Sequence, residues 1–139
     1  MSKFAGLAAP VDKPSRCFLS IPTIGRPALV SRDGEPAWID VLSLDSRAAA
    51  AQRRTSAIAR LEKRATRLTA DDIEAEQVEM LVCLIAGWRL FSLAGDAMDV
   101  PCDDAAKREL MTDQTFAWIR RQVEEHVGDL GNWLRATAT

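Results

Sequence analysis

The feature that most constrains this chain is the change of hydrophobic period at Asp45-Ser46. Upstream, over residues 17–44, prolines and glycines punctuate short strand-like runs, CFLSI, PALV and AWIDVLSL. Asp33-Gly34 lies between the last two runs, and this pair suits a two-residue turn whose central positions need positive φ. The sequence predicts a hairpin of 28–32 with 37–44. In its second strand Trp38, Asp40, Leu42 and Leu44 alternate with Ile39, Val41 and Ser43, so neither face is cleanly polar. Pro36 lacks a ladder donor and belongs at a strand start or an edge. Helices should cover one side of this small sheet.

Downstream the period becomes helical. Asp45 and Ser46 can both cap the stretch RAAAAQRRTSAIARLEKRATR, in which Ala50, Ala57, Ile58, Leu61 and Leu68 form a narrow apolar stripe. Thr69 opens a second helix with Asp72 three residues on as a capping box. Its surface widens from Val78, and the helix is predicted to run to Phe91 and to centre the core. Residues 47–67 hold seven Lys/Arg against one acid, Glu62, whereas 71–79 hold five acids and no base. Both biases suit the helix dipoles and predict an antiparallel pair with complementary flanks. After a loop containing Gly95-Asp96 and Pro101, Asp103 or Asp104 caps a short helix. Thr112 is expected to cap another, with Phe116, Ile119, Val123 and Val127 on one stripe, Gly128 as a left-handed stop and a last turn over 129–135.

The predicted architecture is mainly α (α+β), an N-terminal β-hairpin packed on a compact bundle of four to five helices. Residues 1–16 read as a loose tail, without the apolar segment of a leader. Residues 17–139 read as one domain: hairpin region 17–45, helical hairpin 46–91, loop 92–102 and C-terminal helices 103–139. At 139 residues, 47% apolar and 27% charged, the chain fits one core. Its longest apolar run, 80–88, is nine residues, against about 20 for a membrane span. The expected compartment is the cytoplasm, with Cys17, Cys83 and Cys102 as free thiols.

The residue inventory argues against catalysis. The sole histidine, His126, sits near a helix end beside Glu124 and Glu125 and reads as a solvated polar residue rather than a base. Cys102 lies at a helix start, where the dipole lowers a thiol pKa, though a small helix-entry residue explains it equally well. The carboxylate pairs Asp71/Asp72 and Asp103/Asp104 sit where helix starts favour anions. Asp99, Asp103 and Asp104 could hold a cation loosely, but the calcium-loop spacing is absent. No Gly-rich phosphate loop occurs. No cofactor, metal or small-molecule substrate is therefore expected.

The binding candidates are Trp118 and Trp133, with Gln122 beside Trp118 on the polar side of its helix, and Arg53, Arg60 and Arg64 on the basic helix. A net charge of −2 and a basic face without aromatics make nucleic acid an unfavoured partner.

Three pieces of the chain resemble the tail assembly chaperones of long, non-contractile-tailed bacteriophages and prophages. They are VLSLDSRAAAAQRR, the apolar LIAGWRLF, and VPCDDAAKRELMTDQTFAWIRRQVEEHVGDLGNWL. Together they cover most of 41–134. The resemblance implies a non-enzymatic morphogenesis protein of the host cytoplasm, absent from the mature virion. It would bind and solubilise the tape measure protein and help recruit tail tube subunits, and self-association is left open. The alternatives are a tail-completion or head–tail joining protein that stays in the particle, and a nucleic-acid-binding regulator using 47–67.

Overall fold

A computed structural model describes residues 3–63 and 68–135. It contains strands β1 (Ser15–Phe18), β2 (Trp38–Val41), β3 (Ile85–Phe91) and β4 (Ala97–Met98), joined in that order into one antiparallel sheet. Five helices accompany it: α1 (Arg47–Glu62), α2 (Ala70–Leu84), α3 (Asp104–Thr112), α4 (Ala117–Val127) and α5 (Gly131–Leu134). The α+β class and the N-terminal strand pair agree with the sequence expectation. Among the described residues no helix is long and apolar enough to cross a membrane.

Local chemistry sets the helix starts. Ser46 accepts from the Ala49 N–H at 3.2 Å to open α1, Thr69 and Asp72 form the reciprocal capping box of α2, and Asp103 accepts from Ala106 N–H to open α3. Thr112 is the last residue of α3 rather than a cap. The next residue, Asp113, has the stronger acceptor and holds Thr115 N–H, starting the 3₁₀ turn Gln114–Phe116 that feeds α4. Gly128 ends α4 at φ −76°, not left-handed as expected, because the chain passes through a tight turn directly into α5.

Two strand expectations need correction. The chain does turn at Asp33-Gly34, with a bridge between Val30 and Pro36, but of the pair Gly34 alone takes positive φ (+86°) and Ser31 N–H bonds Glu35 C=O, so the loop is longer than the expected two-residue turn. Beyond Ala37, however, the strand pairs with Ser15–Phe18, not with 28–32. Leu29 instead bonds Leu19 and Ala37 in an irregular crossing. The boundary drawn at residue 16 accordingly falls inside β1, and the segment before it is tied down. Asp12 accepts from Arg47 N–H at 2.8 Å, and Lys13 C=O accepts from the Trp133 indole at 3.0 Å.

The larger correction is that α2 stops at Leu84 and 85–91 is strand β3, not a continuation of the helix. Ile85 turns extended at φ −71°, ψ 119°, while its N–H still donates to Leu81 C=O, so the helix passes into the sheet without a loop. Ile85 then faces Val41 and Gly87 faces Asp40. The apolar run 80–88 is compatible with either period, and the β-branched Ile85 and aromatic Trp88 and Phe91 favour the strand once β2 offers an edge.

The core lies between the sheet and the helices. Ile39, Val41, Leu84 and Val123 are fully enclosed, and Ile119, Val123 and Val127 carry α4 onto β1 and β2. On the other face of β2, Arg16 stacks 3.7 Å over Trp38 and bonds Asp40. Helix α2 packs against α1 on one side and α3 on the other.

Candidate functional site

A largely apolar groove of about 510 Å³ opens beside the sheet, within the range of ordinary ligand and peptide sites. Strand β3 supplies Trp88 and Leu90 to its floor, the β3–β4 hairpin supplies Leu93 and Met98 to one lip, and α3 supplies Leu110. The first turn of α4 supplies Trp118. Local bonds hold these walls. The Trp88 indole donates to Val100 C=O at 2.9 Å, which pins the segment after β4 across the ring. The hairpin turns at Gly95, φ +91°, where an added Cβ would lie 2.9 Å from Arg32 N. Leu93, Met98 and Val100 remain exposed. Glu109 is the one charged side chain among the described lining residues.

The predicted interaction residues divide. Trp118 lies in this groove, half-buried against the core. Trp133 does not, since it is 1% exposed and holds α5 against the N-terminal segment, its ring edge-on to His126 at 5.7 Å. Gln122 is a clamp: its amide accepts from Ser20 N–H at 2.7 Å and donates to Ser20 C=O at 2.8 Å, leaving little for a partner. Arg53 donates to Leu44 C=O at 2.7 Å, and Arg60 pairs with Glu76 of α2. Arg64 lies outside the described residues. These two engaged arginines weaken the basic helix as a nucleic-acid surface.

Trp88, Leu90 and Met98 were missed. Trp88 reads as helix core when 85–91 is taken as helical, yet the alternation of Trp88 and Leu90 with exposed Arg89 is the strand signal that points them to the groove.

His126 is half-buried, not solvated: Nε2 lies 2.9 Å from Ser15 Oγ, and burial pushes its pKa below the usual value. Burial pushes the Cys17 thiol up to about 11, with Glu125 adding to the effect. It raises Cys102 as well, so the helix start does not activate that thiol. Among the described residues no group of three His, Cys, Asp or Glu is placed to hold a metal. No known family, curated protein or solved structure matches this chain.

Proposed function

We propose that the protein is a non-enzymatic tail assembly chaperone of a long-tailed phage or prophage, acting in the host cytoplasm. In this reading the Trp88–Trp118 groove takes the apolar side chains of an amphipathic helix in the tape measure protein, keeping that client soluble while tail tube subunits are recruited. The observation that carries the reading is the groove itself: concave, apolar and bounded by two tryptophans, the side-chain type most enriched at binding hot spots. The resemblance of 41–134 to the chaperones supplies the client's identity.

The test is co-expression with the tape measure protein encoded nearby, measuring soluble client with wild type and with Trp118→Ala. Rescue by wild type, and clear loss of rescue in the variant, supports the proposal. Absence of rescue together with recovery of the protein from purified particles overturns it in favour of a tail-completion or head–tail joining component.

A further inference from the structure

Helix α1 is inside out. At about 100° per residue, Ala50, Arg54, Ala57, Ile58 and Leu61 share one stripe, the kind an amphipathic helix normally buries. All five are exposed, Ile58 at 56% and Leu61 at 77%. The side turned toward α2 carries buried Ala49 and half-buried Gln52 and Ser56. Among the described residues nothing covers this stripe, and Arg54 has no ion-pair partner there.

The groove is complementary: concave and apolar where α1 is convex, with an acid as its one charged lining side chain where the α1 stripe carries Arg54. Glu109 stands in its wall, and exposed Asp99 is flanked by Met98 and Val100 at its edge. We infer that the outward face of α1 docks into the groove of a second copy of this chain, Ile58 and Leu61 entering against Met98 and Trp118, with Arg54 meeting Glu109 and Asp99. Pairing of two α1 helices on themselves would set the unpaired Arg54 and its basic neighbours against like charge. A membrane would meet two aliphatic side chains among alanines, without the aromatic residues of an interfacial helix. Because the contact joins two different patches, copies add head to tail unless the rotation closes a ring. The contact stands on these two surfaces alone. Only its consequence, that a second copy and the client compete for one groove, rests on the proposed function.

Sedimentation or light scattering of the full chain over a concentration series tests this. The wild type should exceed monomer mass as concentration rises. Leu61→Asp and Met98→Asp, both at exposed sites, should each remain monomeric over the same range. Mixed one to one they should form a discrete dimer, since one retains the groove and the other the helix face. A wild type that stays monomeric, association surviving in either variant, or no dimer in the mixture overturns the inference. Client rescue separates the two ideas, because Leu61→Asp keeps an intact groove and should still solubilise the tape measure protein. If it does so while the wild type is monomeric, self-docking fails and the function stands. If the mixture dimerises but neither groove variant affects the client, the reverse holds.

Discussion

At the scale of single residues the two C-terminal tryptophans separate cleanly. Trp133 is enclosed and its indole N–H is satisfied by Lys13 C=O, so Trp133→Ala should cost about 3–5 kcal/mol in urea unfolding. Trp118 is half-buried on the groove wall, and Trp118→Ala should cost no more than about 2 kcal/mol while reducing client rescue. A comparable loss in both would place Trp118 in the core instead. His126 supplies a pH test. Burial lowers its pKa from 6.5, Arg135 adding to this and Asp129 opposing it. Between the lowered value and 6.5 the unfolded chain binds more protons than the folded one. This contribution to stability is therefore complete above 6.5 and declines as pH falls toward the folded value. Urea midpoints measured from about pH 7.5 down to 5 should fall, and the slope should flatten in His126→Asn. Neither tryptophan's burial was legible from periodicity. Trp118 lay off the Phe116, Ile119, Val123 stripe and Trp133 sat in a short terminal turn, so their surroundings depend on distant segments, Leu29 beside the groove for Trp118 and Lys13 for Trp133.

At the scale of elements, helix starts were legible because their chemistry is local: Ser46, Thr69 and Asp103 each satisfy N–H groups within three residues. Strands were not, because a strand is defined by its partner. Phe18 and Trp38 pair across 20 positions, and Ile39 pairs with Trp88 across 49. In 85–91 the one local strand signal, Trp88 and Leu90 alternating about Arg89, is too short to outweigh the apolar run of α2 that precedes it. The β3–β4 hairpin offers a direct test of the groove lip. Gly95→Ala must hold φ +91° and place a Cβ 2.9 Å from Arg32 N, whereas a Cβ at Gly87 meets nothing within 4 Å. Gly95→Ala should therefore destabilise by roughly 1–3 kcal/mol, and Gly87→Ala by clearly less. Thermal unfolding of the two variants side by side measures the difference, and equal shifts would show that the turn does not constrain the lip.

At the scale of the whole molecule, α2 is the hub of an ion-pair belt. The charge switch between 47–67 and 71–79 predicted an antiparallel pair with complementary flanks; among the described residues Glu76 makes that link, through Arg60. Glu79 pairs with Arg108 of α3 at 2.7 Å, and Glu74 pairs with Arg120 of α4. Hydrogen bonds from these arginines hold all three carboxyls below the usual glutamate value of 4.5. Their contribution is present above 4.5 and disappears as pH falls through the lowered folded values. Acid unfolding should begin below about pH 4.5 and be partly masked by salt, since these pairs are largely exposed. An acid limb unchanged in Glu79→Gln would remove Glu79 from that account. The sequence by itself determined where α1, α2 and α3 begin, which stripe of α4 turns inward and that α1 and α2 carry opposite charge, because each depends on neighbours within a few residues or on a fixed helical period. Only the tertiary structure decided that 85–91 is a strand, that 15–18 pairs with 38–41, that α1 turns its apolar stripe outward and that a groove opens between β3, β4, α3 and α4. Each of those outcomes depends on which distant segment occupies an edge or a face, and the period and composition of a segment do not name the partner it pairs with dozens of residues away.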